Sequence, residues 1–127
     1  MADDFTQWGF ETSPFGELRL RGDTVIRGPR LGVYMVHNVG NGPASTMSGF
    51  DAPTAPEAVA VANALDAADS IVASVTDSAF ALIGEAMGWR SGDFAPYQVA
   101  AIRSSAAALV AQIISEAVRN RLAYGEG

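Results

Sequence analysis

The stretch DAADSIVASVTDSAFALIGEAMG (residues 66–88) decides the fold. It holds no proline, and its apolar residues recur at helical rather than alternating spacing. Traced upstream, the pattern runs Val61, Leu65, Ala68, Val72, Val75, Ala79, Leu82 and Ala86, in steps of four and three. Such steps draw a heptad seam along one side of a helix, the pattern of a coiled coil. Ala68, Ala79 and Ala86 lie on the seam and Gly84 beside it, so a second helix can approach closely. Gly84 lowers helix propensity by up to about 1 kcal/mol, a loss that close packing can offset.

The helix has legible ends. Thr54 and Glu57 have capping-box spacing, Pro56 sits in the tolerant first turn, and Gly88 supplies a stop. These signals predict a helix over residues 55–87. A short turn over 89–92 follows, and Asp93 can cap a second helix over 94–123. The second helix carries Val99, Ile102, Ala106, Leu109, Ile113 and Ala117 on one stripe, widened by Val110, Ile114, Val118 and Leu122. Each helix is roughly 45–50 Å long at about 1.5 Å per residue. The short turn makes them an antiparallel hairpin. The apolar face of the second helix is wider than one partner covers, so an isolated subunit leaves an apolar strip uncovered.

Ahead of the hairpin the pattern changes. In ELRLR, Leu18 and Leu20 alternate with Glu17, Arg19 and Arg21, a half-buried strand. The Gly22-Asp23 pair turns the chain, TVIR resumes it, and Gly28-Pro29 breaks it. LGVYMVHNV then puts Leu31, Val33, Met35, His37 and Val39 on one face. The expectation is a two- or three-stranded antiparallel sheet over 17–39, too small to stand without a helix or another chain. A Gly-, Pro- and Ser-rich loop over 40–53 joins it to the hairpin. Residues 1–16 hold Phe5, Trp8, Phe10 and Phe15 without any period and read as an extended aromatic arm. The fold expected is thus mainly α with a small β module (α+β), one domain over residues 1–127.

Composition narrows the chemistry. The 127 residues carry a net charge of −6, the basic residues are all arginine, and there is no cysteine. Without lysine there is no Schiff base or phosphate-loop lysine; without cysteine there is no thiol nucleophile, zinc thiolate or disulfide. The acidic balance argues against nucleic acid, since Glu17 and Asp23 interrupt the cluster Arg19, Arg21, Arg27 and Arg30. The first residues, MADDFTQ, are acidic where an export signal is basic. No uncharged apolar run approaches the roughly 20 residues of a membrane span, so a cytoplasmic or virion protein without membrane contact is expected.

Candidate sites follow from the same residues. His37 is the sole histidine, and Ser45 and Ser48 in the following loop are the nearest hydroxyls, so a ligand or catalytic site would use these three. No G-x-S-x-G elbow surrounds the serines. Gly40-x-Gly42 resembles a phosphate-cradling loop only faintly, because Pro43 lacks an amide and no helix begins at once. Asp66, Asp69 and Asp77 share an arc of the first helix, most simply a solvated face rather than a metal site. Arg21-Gly22-Asp23 is a hairpin turn, and Trp89 and Tyr97 flank the helical tip. No cofactor and no metal is expected.

The function expected is structural and non-enzymatic: self-assembly into a homo-oligomer or polymer, as in a bacterial or phage particle or an intracellular filament. Its interface would comprise Phe5, Trp8, Phe10 and Phe15 of the arm, Ala68, Val72 and Ala79 of the first helix, and Val110, Ile114, Val118 and Leu122 of the second. The chain's partner would be itself, with other subunits of the same assembly. The alternatives are a small ligand-binding domain or enzyme at His37 and loop 40–48, and an adaptor offering a helix face to another protein.

Overall fold

Two long helices and a five-stranded antiparallel sheet make the chain an α+β protein. The computed structural model describes residues 4–14 and 16–123, the side chains of 121–123 excepted. The strands are β1 (Glu11–Thr12), β2 (Leu18–Arg21), β3 (Thr24–Arg30), β4 (Val33–Asn38) and β5 (Phe50–Ala52), and they pair in sequence order as a meander. Helix α1 (Ala55–Met87) and helix α2 (Pro96–Ala123) follow. Short 3-10 turns occupy Phe5–Trp8, Pro43–Thr46 and Ser91–Asp93.

The sheet is wider than the two or three strands expected, because the arm and the loop each add an edge strand. β1 pairs Glu11 with Leu20, and β5 pairs Phe50 with Val36. Both edges are too short to show a period. The arm is therefore not extended. Asp4 accepts the Thr6 amide at 3.0 Å, and Gly9 ends the turn in the left-handed region at φ 86°. Phe5 and Phe10 are buried, with Phe5 edge-on to Tyr34 at 5.4 Å. Their aromatic area is removed from water inside the subunit.

The buried face of the sheet is the one opposite to the apolar alternation. Arg19, Ile26, Val36 and Phe50 stand in register under α1, with Tyr34 opposite Ala52. Leu18 and Leu20 point outward with Met35 and His37, which pair across from Arg27 and Val25. Leu20, Val33 and Met35 are exposed. Two devices admit Arg19, only 7% exposed, to the inner face: its guanidinium donates to the Gly28 carbonyl and lies over the Phe5 ring at 5.1 Å.

Helix α1 keeps its expected bounds. Thr54 Oγ1 accepts the Glu57 amide at 3.3 Å, and Gly88 closes the end at φ 73°. The 33 residues span about 50 Å, whereas the longest strand, 7 residues, spans about 23 Å. The sheet thus covers at most about half of α1. Entering beside Ala52 and Tyr34, at the β3–β4 turn end, α1 reaches Thr24 at the opposite end by Asp66. Beyond that point it leaves the sheet behind. The β3–β4 turn and the helical tip consequently sit at opposite poles of an elongated subunit.

The helices run antiparallel: residues 57–64 lie across from 113–118, and Phe80 meets Phe94 with ring centroids 4.7 Å apart. Their shared seam departs from the heptad. After Val61, Leu65, Ala68 and Val72, the next buried residues are Thr76 and Gly84, with Phe80 half-buried, so the steps become fours. Steps of four drift the buried track by about 40° each, about 120° from Val72 to Gly84 and well beyond the roughly 20° per heptad of a straight helix, and this leaves Val75 and Leu82 out of contact. Thr76 is admitted because its hydroxyl bonds the Val72 carbonyl at 2.8 Å. In α2 the slip matches: Ala106, Val110 and Ile114 are buried while Leu109 and Ile113 face out. Gly84 earns its place at the tip, where a Cβ would stand 2.8 Å from the Trp89 carbonyl.

Candidate functional site

His37, Ser45 and Ser48 do not form a cluster. His37 is on the outer sheet face, where Arg27 Nε donates to its Nε2 at 3.2 Å. Partial burial, then the Arg27 charge, lowers its pKa below the ordinary histidine value, so the ring is neutral near pH 7. Ser45 is on the α1 side, in the turn whose Ala44 is buried, and its Oγ donates to the Gly42 carbonyl at 2.7 Å. Ser48 is exposed.

The glycines of loop 40–42 do lie against anions, but these are the chain's own carboxylates. Asp69 Oδ1 accepts the Ala44 amide at 2.6 Å, and a Cβ on Gly42 would overlap the same carboxylate. A Cβ on Gly40 would lie 2.7 Å from Asp23 Oδ2. Asp66 is also engaged: it accepts from Thr24 Oγ1 and Arg21 Nη2, each at 2.6 Å. All three helical carboxylates are exposed, as expected of a solvated face, but Asp66 also fastens α1 to the sheet and Asp69 fastens it to the Pro43–Thr46 turn. Among the described residues no group of His, Asp and Glu is arranged to hold a metal. Arg-Gly-Asp forms the β2–β3 turn, and Arg21 is held inward over Phe10 at 4.5 Å, donating to the Trp8 carbonyl at 3.0 Å.

Of the interface candidates, Phe5, Phe10, Ala68, Val72, Val110 and Ile114 are buried within the chain, and Trp8, Ala79 and Val118 are half-buried. Phe15 and the Leu122 side chain lie outside the described residues. The large apolar residues left exposed are different ones. Ile71, Val75 and Leu82 project from α1 and Leu109 and Ile113 from α2, Leu82 being 68% exposed. At about 100° per residue, Ile71, Val75 and Leu82 share an arc of about 60° with Ala60 and Ala64. Asp66, Asp69 and Asp77 stand more than about 100° away from that arc. Between Glu57 and Glu85 the arc carries only Ala, Ser, Asn and aliphatic residues. It faces away from the sheet. A groove of about 310 Å³, lined by Ala60, Ala64, Ile113 and Ala117 among others, runs between the helices on this side. The missed signal was the drift itself: Val75, Leu82, Leu109 and Ile113 belong to the sequence stripes but fall off the buried track.

The turn pole is also apolar. Leu31 and Gly32 form a two-residue turn with φ 54° and 82°, geometry usually met by Asn-Gly. A left-handed leucine costs roughly 1–2 kcal/mol, yet Leu31 is 96% exposed. Beside it a cavity of about 670 Å³ is lined by Leu31, Val33, Met35, Arg27, Arg30 and Asp51 among others.

Both helices are long and apolar enough to cross a membrane by length and composition, with window hydropathies of 1.4 and 1.3. Within α1, 39% of that window is buried in the fold, against 17% for α2. No known family matches the chain, and no curated protein or solved structure matches it at a significant level.

Proposed function

We propose that the chain is a structural, non-enzymatic protein that assembles with copies of itself, using the side of the hairpin turned away from the sheet. The observation that carries this reading is the exposed stripe of Ile71, Val75 and Leu82 on α1 with Leu109 and Ile113 on α2, on the same side as the groove lined by Ala60, Ala64, Ile113 and Ala117. Monomers rarely leave a continuous apolar strip of this kind uncovered. A second copy is the fitting partner because, in a chain of net charge −6, the α1 arc between Glu57 and Glu85 holds no carboxylate to repel an identical surface, Glu57 at the groove and Glu116 beside Leu109 marking its acidic edge. Two hairpins meeting on this side would pack as a four-helix bundle.

Size-exclusion chromatography with light scattering tests it. Leu82→Glu with Leu109→Glu, both at exposed positions, should fold normally and fall to a lower mass. A wild type that stays monomeric from micromolar to millimolar concentration would sink the proposal. The window hydropathies favour one second reading, a lipid-facing hairpin. That reading requires the protein to float with lipid vesicles, and a protein that assembles in buffer while leaving vesicles bare excludes it.

A further inference from the structure

The two poles of the subunit are chemically unlike, and each offers what the other lacks. At one pole Leu31 stands almost fully exposed at the head of the β3–β4 turn with exposed Arg30 beside it, while Glu17, Arg27 and Asp51, also exposed, lie farther back along the sheet, Arg27 and Asp51 both level with Met35. At the other, Leu82, Met87, Trp89 and Tyr97 are exposed around the helical tip. Trp89 is braced there, its ring 5.4 Å from Phe94, which in turn meets Phe80. Glu85 and Asp93 flank this tip against a single arginine, Arg90, and all three are exposed.

We propose that the Leu31 turn of one copy docks on the aromatic tip of the next, joining subunits head to tail. The proposal rests on the self-assembly reading and adds a second, axial joint to the lateral one. A protruding aliphatic residue over a braced aromatic platform has the make-up of an interface hot spot. Charge sets the pairing. Like poles would bring Arg30 against Arg30, or Glu85 and Asp93 against their own copies, whereas unlike poles set the arginine against the carboxylates. The poles are separated by a helix of about 50 Å, so one chain cannot satisfy its own joint. A contact between two different surfaces is heterologous, and it propagates into a ring or a filament. The same arrangement accounts for a leucine in a left-handed turn, where asparagine or glycine would be easier: the side chain is kept for what it touches outside the subunit.

The absence of cysteine makes the joint directly readable. Val33→Cys and Ser91→Cys, exposed positions beside the turn and the tip that leave Leu31 and the tip aromatics in place, are purified separately, mixed, and treated with a short bismaleimide. The mixture should yield at least tenfold more covalent dimer than either variant alone. The double variant in one chain should yield a ladder of multimers. Asp51→Cys with Gly92→Cys repeats the test from a second exposed position on each pole, with Arg30, Glu85 and Asp93 kept. If light scattering shows multimers but neither mixture cross-links, the head-to-tail joint is wrong and the lateral reading stands. Equal self-cross-linking of each single variant would mean like-to-like poles and also overturn it. A wild type monomeric at millimolar concentration removes both proposals.

Discussion

Replacing Asp66 by alanine should destabilise the subunit by about 2–3 kcal/mol, with Thr24 rather than Arg21 setting most of the cost. Thr24 is fully buried, and its hydroxyl donates to Asp66 at 2.6 Å. Without that acceptor a buried donor is left unsatisfied, at roughly 1–3 kcal/mol. The Arg21–Asp66 ion pair is just as short, but its side chains are 25% and 42% exposed, so solvent screening holds it to about 0.5 kcal/mol. Thr24→Val removes the donor itself and should cost only about 1 kcal/mol. In the double variant no orphaned hydroxyl remains, so the two effects should fail to add by about 1–2 kcal/mol. Arg21→Ala combined with Asp66→Ala should show coupling below about 1 kcal/mol. Urea unfolding at low, fixed protein concentration measures all of these, since oligomers would add a concentration term. Additivity of Thr24→Val and Asp66→Ala within about 0.3 kcal/mol would refute the reasoning.

Two further outcomes follow from the site geometry. Gly42→Ala drives a methyl into the Asp69 carboxylate and should disturb its bond to the Ala44 amide, lowering stability by about 1–3 kcal/mol in thermal unfolding; an unchanged midpoint would contradict the cradle. His37 should make stability fall in mild acid. Its folded pKa lies below the ordinary 6.5, so as pH drops the unfolded chain takes up the proton first. The stabilisation is complete above pH 6.5 and is lost as pH falls through the depressed folded value. His37→Gln should remove this part of the pH slope; identical slopes in variant and wild type would exclude the assignment.

The helices were legible because their signals are local. Thr54 and Gly88 act within a few residues of themselves, and residues 55–87 are helical as read. The second helix starts at Pro96, slightly later than read, because Ser91–Asp93 forms a separate turn. The three central strands were legible for the same reason. The inward face of the sheet was not, since β4 reads VYMVHN with apolar residues on both faces. Alternation then marks a strand without saying which side is buried. That choice was made by tertiary partners, Phe5 over Arg19 and α1 over Val36. The docking of the arm on its own subunit was not legible because its burial depends on aromatic contacts to Tyr34 and not on any period. At the candidate interface, residue type was read as apolar, but the assignment of inner and outer stripes needed the drift of the buried track into four-residue steps beyond Val72.

That drift also limits how the length of α1 can change. Removing one residue just after Val72 would turn the rest of the helix by about 100° and bring Asp77 and Glu85 to the places of Thr76 and Gly84. Adding one would bring Val75 and Ile83 there instead, and Ala79 to the place of Phe80. A deletion therefore buries carboxylates, while an insertion buries aliphatic residues and meets its main obstacle at Gly84, where the Trp89 carbonyl leaves no room for a side chain. A run that looks like interchangeable alanine and serine is thus strict about its count even where it is lenient about its composition.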